Sequence, residues 1–195
     1  GTIGCTSFFP SKNLGCMGDG GALFTNDDTL AKKIRMIANH GQSVQYVHDE
    51  IGVNSRLDSI QAAILRVKLK HLDSYAAARQ KAAAYYDKAF SRNSKITIPE
   101  RSKNSTHVFH QYTLVLNGVN RDELRQYLAE KEIPSMIYYP IPLHMQKAYK
   151  DERYKEGQFP VTEKLCANVL SLPMHTELDE EQLEYITRAV LEFCK

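Results

Sequence analysis

The fold depends on the stretch Ser7-Phe8-Phe9-Pro10-Ser11-Lys12-Asn13-Leu14-Gly15, which continues into Gly18-Asp19-Gly20-Gly21-Ala22. It places Lys12 on a short turn between an apolar segment and a glycine-rich one, and the run Ala22–Thr25 that follows is strand-like. A lysine held in this way can be a Schiff-base nucleophile, because partial burial favours the uncharged amine. Since most lysines are simply solvated, the rest of the sequence has to support this interpretation.

The composition is that of an ordinary soluble globular protein. The 195 residues are 43% hydrophobic and 25% charged, enough for one domain or two small ones. A net charge of +2, with both signs interleaved, indicates neither a nucleic acid nor a membrane surface as partner. No apolar run approaches the roughly 20 residues of a membrane span. The irregular spacing of the cysteines predicts reduced thiols and a cytoplasmic location; they are Cys5, Cys16, Cys166 and Cys194.

Two motifs that suggest other kinds of site can be set aside. His107 and His110 lack a third and fourth ligand nearby, and a spacing of three on a strand directs them to opposite faces. We therefore predict no metal site. The glycines of residues 18–21 resemble a dinucleotide-binding loop, but that loop requires a helix after it, and here a strand-like run follows.

The first half of the chain is predicted to be strand, turn and strand over residues 1–25, followed by helices. Asn26 or Asp27 caps the first helix, which Gly41 ends. Residues 42–57 are predicted as a loop. A second helical region begins near Asp58, with Ile60, Ile64 and Val67 at helical spacing. Helical sequence continues over residues 73–91, where a buried stripe is predicted; its members are Tyr75, Ala82, Tyr86 and Phe90.

The second half begins after a change of composition at residues 91–106, where we place a domain boundary. A strand over 108–116 is followed by a helix capped by Asn120, with Glu123 at the position of a capping box. A short helix starts at Thr162, and a last helix starts at Asp179. This order of strands and helices predicts a small α+β unit.

Five motifs occur in an order that resembles the DegT/DnrJ/EryC1/StrS family of sugar-nucleotide aminotransferases. They are the two stretches quoted above, Asn39-His40-Gly41, Gly52-Val53-Asn54-Ser55-Arg56-Leu57-Asp58-Ser59-Ile60-Gln61-Ala62-Ala63, and Tyr139-Pro140-x-Pro142-Leu143-His144. The resemblance runs from Cys5 to the C-terminus. It implies an α/β fold, the type I fold of pyridoxal-phosphate-dependent transferases (aspartate aminotransferase-like). Residues 1–91 would end the large domain, and residues 92–195 would form the small α+β domain.

The resemblance also implies a cofactor site. Lys12 would be the catalytic residue that binds pyridoxal 5'-phosphate as a Schiff base and moves protons, and Ser7 would bind the cofactor phosphate. Asn54 matches an asparagine that reaches the phosphate of the neighbouring subunit, so that a homodimer would share its active sites. From the residues alone, Asn54 could instead order its loop, and Ser7 could be an ordinary strand serine.

The nucleotide-sugar substrate would be contacted by Arg56, Tyr139 and His144, again by resemblance. Alternatively, Arg56 could order its loop and His144 could be a surface histidine. Tyr138 departs from the histidine that many members of the family have before Tyr-Pro.

The implied function is transfer of an amino group from glutamate to a nucleotide-linked keto-sugar. The turn at Lys12 and the segment Asn39–Ser43 most resemble enzymes of UDP-linked 3-keto-uronic sugars, which serve surface-polysaccharide biosynthesis. A sugar dehydratase of the same family is an alternative, although such enzymes have histidine in place of Lys12. The resemblance also predicts that an upstream half of the enzyme, which carries the partner of the cofactor nitrogen, is missing. A catalytically incomplete fragment that only dimerises or binds nucleotide sugar is therefore a further alternative.

Overall fold

The structure is a computed structural model that describes residues 1–195. The chain divides into two units, Gly1–Ser74 and Tyr75–Lys195. The predicted domain division between residues 91 and 92 lies later in the chain and remains a prediction. No helix combines the length and the apolar character needed to cross a membrane.

The first unit contains two antiparallel strand pairs and two helices. Strand β1 pairs with β2, with Cys5 opposite Leu23, and β3 pairs with β4. A 3-10 turn, Leu69–His71, leads from α2 into α3 (Leu72–Phe90), which continues into the second unit. The bounds are β1 Gly4–Ser7, β2 Gly21–Phe24, α1 Asp28–Ala38, β3 Gln42–Val44, β4 Val47–His48 and α2 Ser59–Lys68.

Helix α1 begins and ends as the sequence predicts. The Asp27 carboxylate accepts hydrogen bonds from the backbone N–H groups of Thr29 and Leu30 at 2.8 and 3.0 Å, which satisfies donors that a helix start leaves free. After the helix, the Gly41 N–H donates to the Met36 carbonyl at 2.8 Å. Gly41 has a φ of +75°, and a Cβ there would lie 1.7 Å from the carbonyl oxygen of Glu50. Only glycine fits at this position.

The predicted loop 42–57 contains a hairpin that the sequence did not indicate. Val44 lies opposite Val47, so the connection has two residues, Gln45 and Tyr46. Tyr46 adopts a φ of +69°, which the turn requires but which tyrosine rarely adopts. Without glycine or asparagine at this position, the sequence carries no hairpin signal.

The buried stripe predicted within residues 73–91 is confirmed at Ala82, Tyr86 and Phe90, whereas most of the apolar face of α2 is exposed. Ile60 and Val67 are 74% and 63% exposed, and Leu65 is the buried residue of the helix. The predicted helix is therefore present, and no other element of the unit covers Ile60 or Val67. Apart from Cys16 and Leu65, the unit has no buried hydrophobic side chain.

The second unit is a three-stranded antiparallel sheet in the order β5-β6-β7, together with three further helices and the C-terminal part of α3. Thr113 of β6 lies opposite Ser171 of β7. A core of buried side chains from the sheet, α3, α4 and α6 fills it; its largest members include Tyr86, Phe90, Tyr112, Leu114, Leu124, Leu128, Leu170 and Val190. The bounds are β5 Ile96–Thr97, β6 Tyr112–Leu116, α4 Arg121–Glu130, α5 Pro160–Asn168, β7 Val169–Leu172 and α6 Glu180–Phe193.

Strand β6 starts four residues later than predicted, at Tyr112 rather than at Val108. Phe109 is buried with a φ of +45°, a conformation that interrupts a strand. The Arg79 guanidinium donates from one nitrogen to the carbonyls of Phe109, His110 and Met174 at 3.0 to 3.2 Å. These carbonyls bond to an arginine distant in sequence and not to a neighbouring strand, which no local pattern predicts.

Candidate active site

Lys12 lies on the connection between β1 and β2, which is closed by backbone hydrogen bonds. The Lys12 N–H donates to the carbonyl of Phe9 at 2.8 Å, and Phe8 donates to Gly20 at 2.8 Å. The N–H of Cys16 donates back to Phe8, also at 2.8 Å. The Lys12 side chain is partly buried. The predicted turn is therefore present, with the lysine at its centre.

Glycine is required beside this lysine because the chain folds back on itself. A Cβ on Gly15 would lie 2.5 Å from the carbonyl oxygen of Pro10 and 2.8 Å from that of Phe9. Cys16 is buried, and its Sγ contacts the carbonyl oxygens of Phe8 and Gly18 at 3.0 and 2.9 Å. These contacts leave little freedom to the backbone that carries Lys12.

Ser7 ends β1, five residues before Lys12, and is exposed. Its Oγ accepts a hydrogen bond from the N–H of Phe9 at 3.2 Å, so its own hydroxyl proton can be donated to a ligand. One turn thus carries a primary amine, which can react with an aldehyde, and a hydroxyl donor suited to a phosphate. These residues fit pyridoxal phosphate, the cofactor predicted from the motifs.

Asn54 and Arg56 lie on an exposed segment that runs beside the end of α1. Asn54 forms an antiparallel bridge with Asn39, and its side-chain oxygen accepts from Nε of Arg56 at 3.1 Å. Because both side chains are exposed, their remaining N–H groups are accessible to another molecule. The structure therefore brings these two residues together. This contact also agrees with the alternative that Asn54 and Arg56 order their own loop.

Tyr139 and His144 belong to the second unit. The Tyr139 side chain is exposed, and its ring lies edge-on to that of Tyr138 with 5.6 Å between centroids. His144 is not a surface histidine, since only 9% of its side chain is exposed. Its Nε2 lies 3.0 Å from Oε1 of Glu163. No sequence motif predicted Glu163; the signal that could have found it is an acidic residue in the first turn of a helix that begins with Pro160.

Lys12 lines neither of two cavities found in the structure. One, of about 1320 Å³, lies between β2 and α1 and includes Arg56, but neither Ser7 nor Lys12 lines it. The other, of about 560 Å³, lies in the second unit and is lined by aromatic rings, two aliphatic residues, one lysine and one aspartate. We assign the site by its chemistry and not by the size of the cavities. The second cavity is lined by Leu143, His144, Ala148, Tyr149, Lys150, Asp151, Tyr154 and Phe159.

Comparison with known proteins identifies relatives along the whole chain. A family model described as the DegT/DnrJ/EryC1/StrS aminotransferase family matches residues 1–191. A UDP-2-acetamido-2-deoxy-3-oxo-D-glucuronate aminotransferase of Pseudomonas aeruginosa is 47% identical over 189 residues, which are 97% of this chain and 51% of that protein. The chain spans about half the length of the curated relatives it matches.

Solved structures agree with these relatives. The crystal structure of DesV from S. venezuelae, in complex with a ketimine intermediate, matches with a TM-score of 0.94 at 39% identity and covers all of this chain and 52% of that one. NtdA from Bacillus subtilis with bound cofactor PMP matches with a TM-score of 0.90 at 30% identity, over 99% of this chain and 46% of that one.

Proposed function

The chain belongs to the DegT/DnrJ/EryC1/StrS aminotransferase family, and we propose that the protein containing it transfers an amino group from glutamate to a nucleotide-linked keto-sugar. The family and the type I transferase fold predicted from the motifs are confirmed by the family match and the structural neighbours. The proposal depends above all on one observation: the constrained turn that holds the Lys12 amine and the Ser7 hydroxyl five residues apart.

Pyridoxal phosphate is the cofactor that this arrangement supports, and the PMP bound in NtdA points to the same chemistry. When bound, this cofactor supplies an electron sink for negative charge on the substrate carbon. Lys12 would hold it through Nζ, and the freed amine would then take a proton from the carbon of the amino donor and deliver one to the sugar carbon. The Ser7 hydroxyl would donate a hydrogen bond to the phosphate.

The substrate class follows from the relatives and not from the geometry. The Pseudomonas aeruginosa relative is named for a UDP-linked 3-oxo-glucuronate, which supports a UDP-linked 3-keto-uronic sugar and a place in surface-polysaccharide biosynthesis. Arg56, Tyr139 and His144 are the residues we propose to contact it. A cytoplasmic location remains a prediction.

A second copy of the chain and an upstream half of the same enzyme would complete the site. Asn54 is exposed on a segment with several exposed apolar side chains, among them Tyr46 and Ile51. A dense group of exposed apolar residues is typical of an interaction surface. We propose that this segment contacts the neighbouring subunit in a homodimer, where Asn54 would reach the cofactor phosphate.

The Lys12→Ala variant of the complete protein tests this function. Addition of pyridoxal phosphate to the unsubstituted protein is expected to give a visible absorbance band that glutamate removes. Lys12→Ala should give no such band, because no amine remains to bind the aldehyde, and its transaminase rate should fall roughly 1,000-fold or more. Lys70→Ala is the control, since Lys70 is an exposed lysine after α2. An unchanged band in Lys12→Ala would contradict the proposal.

A further inference from the structure

The Glu163 carboxylate accepts hydrogen bonds from the backbone before α5 and lies beside the His144 ring. Its Oε1 lies 3.0 Å from Nε2 of His144, and both of its carboxylate oxygens accept from the N–H of Gly157 at 2.9 Å. The N–H of Phe159 donates to Oε1 at 3.2 Å. The side chain of Glu163 is 19% exposed. One carboxylate thus holds both the backbone before α5 and an imidazole.

This carboxylate stays ionised near neutral pH. Burial acts to raise the pKa of Glu163, but the N–H groups of Phe159 and Gly157 and the His144 side chain outweigh it, and the pKa lies below its ordinary value. An ionised carboxylate can only accept hydrogen bonds. The proton between the two side chains therefore lies on Nε2 of His144.

The position of that proton decides what the other ring nitrogen can do. In a neutral imidazole with hydrogen on Nε2, Nδ1 is an acceptor. The ring plane is fixed as well, because the His144 ring packs against Phe159 with 4.8 Å between centroids. Glu163 binds the backbone of this same Phe159, so a single residue sets both the tautomer and the orientation of the ring.

His144 also lines the aromatic cavity of about 560 Å³ in the second unit. The rings of Tyr149, Tyr154 and Phe159 give this cavity apolar walls, and its charged residues are Lys150 and Asp151. The Asp151 carboxylate is paired with the Arg153 guanidinium at 2.7 Å, and Lys150 can bind a negatively charged group. Such a lining suits a ligand with a flat or ring-shaped part and a negatively charged part. A nucleotide sugar has both.

We propose that Glu163 is a positioning residue for the acceptor substrate. It holds His144 with hydrogen on Nε2 and thereby presents Nδ1 to the nucleotide sugar in this cavity. The inference rests on the proposed function for the identity of the ligand. Glu163 itself has no role in the reaction of Lys12 with glutamate.

Nitrogen-15 NMR of histidine-labelled complete protein tests the tautomer directly and needs no activity. The chain has seven histidines, and a His144→Gln variant identifies the His144 signal. We expect hydrogen on Nε2 in the unsubstituted protein. In Glu163→Gln the amide oxygen can still accept from the backbone, whereas the amide NH₂ turns toward His144, so the hydrogen should move to Nδ1. An unchanged tautomer in Glu163→Gln would overturn the proposal.

Steady-state kinetics of the same variants test the link to the substrate. Glu163→Gln should raise the KM for the nucleotide sugar about tenfold, the size expected for one lost charge-assisted hydrogen bond, and leave the reaction with glutamate unchanged. His144→Gln should raise it similarly, and the double variant should add nothing further. Glu123→Gln is a matched control, because Glu123 is an exposed glutamate in the first turn of α4.

Two results separate this inference from the proposed function. An unchanged KM in Glu163→Gln, or a slower glutamate reaction in that variant, would overturn the positioning role alone. Absence of any glutamate reaction in the unsubstituted protein would count against the proposed function, while the NMR result would still decide the tautomer.

Discussion

Tyr112 illustrates how the second unit accommodates a polar group in its core. The side chain is fully buried, and its hydroxyl donates to Oδ1 of Asp87 at 2.8 Å. Burial first, and then the hydrogen bond and the charge of Asp87, raise the pKa of Tyr112 well above its ordinary value of 10.0. A group whose pKa is raised on folding contributes stability that is fully present below its unfolded pKa. That contribution is lost as the pH rises above about 10.

The pH dependence of unfolding tests this argument. The free energy of unfolding of the complete protein, measured in urea, is expected to fall between about pH 9 and pH 11 because the unfolded state releases the Tyr112 proton more readily. Tyr112→Phe should reduce this decrease, since it removes one of two buried tyrosines whose pKa is raised, the other being Tyr86. Tyr185→Phe, at an exposed tyrosine, should follow the unsubstituted protein. Equal slopes for Tyr112→Phe and the unsubstituted protein would refute the assignment.

Residues with local roles could be predicted from the sequence, and residues with distant partners could not. Asn120 was predicted as a helix cap and Asp27 as one of two alternatives, and both accept the expected backbone hydrogen bonds. The last helix was predicted to begin at Asp179, which is its cap. Arg79 donates to carbonyl groups that lie far along the chain, those of Phe109 and Met174. Glu163 meets its partners, His144 and Gly157, only because of the way the loop before α5 folds. Sequence spacing carries no information about such contacts.

Among the elements, α6 has the most complete start. The carboxylate of Asp179 accepts from the N–H of Gln182 at 2.8 Å, and the Gln182 side chain accepts from the N–H of Asp179 at 3.2 Å. This capping box satisfies two donors that would otherwise lack partners. Buried residues such as Ile186 and Val190 then attach the helix to the core.

Substitution of the cap measures its contribution. Asp179→Ala is expected to lower the free energy of unfolding by about 1 kcal/mol, because it leaves backbone N–H groups at the helix start without an acceptor. Asp179→Asn keeps an acceptor oxygen and should cost much less. The measurement is urea-induced unfolding of the complete protein. A loss in Asp179→Asn as large as that in Asp179→Ala would show that charge, and not capping, matters there.

Periodicity predicted whether a segment is a helix or a strand more reliably than it predicted which side chains are buried. The helices and the strands β1, β2 and β6 were predicted, whereas the hairpin of β3 and β4 was not, because Tyr46 forms its turn in place of glycine. Helix α2 was predicted correctly as a helix, and its apolar residues Ile60 and Val67 are exposed. The stripe predicted as buried in α3 is buried at Ala82, Tyr86 and Phe90. Periodicity identifies a face to be covered; it does not identify what covers it.

For the whole molecule, the proposed sharing of active sites can be tested by mixing subunits. Lys12→Ala and Asn54→Ala should each be nearly inactive alone as homodimers. Because each site would take Lys12 from one subunit and Asn54 from the other, co-expressed variants should form heterodimers with one intact site. Up to about half of the unsubstituted activity per heterodimer is expected. If the mixture stays inactive while heterodimers form, Asn54 does not act across subunits.

The geometry of the proposed cofactor end of the site could be predicted from the sequence better than that of the proposed substrate end. Ser7 and Lys12 share one turn, so their relation is visible in their spacing, and the structure places both there. The substrate end depends on how a separate loop folds. Glu163 and Phe159 adjoin His144 only through that folding.

The main-chain bonding of the Lys12 turn has a consequence for divergence among related proteins. The turn is closed largely by carbonyl and N–H groups that every residue type possesses, those of Phe8, Phe9, Gly20 and their partners. The side chains of Ser11 and Met17, which belong to this connection, are exposed. They can change without displacing Lys12, so the sequence around the turn can vary while the position of the amine is kept.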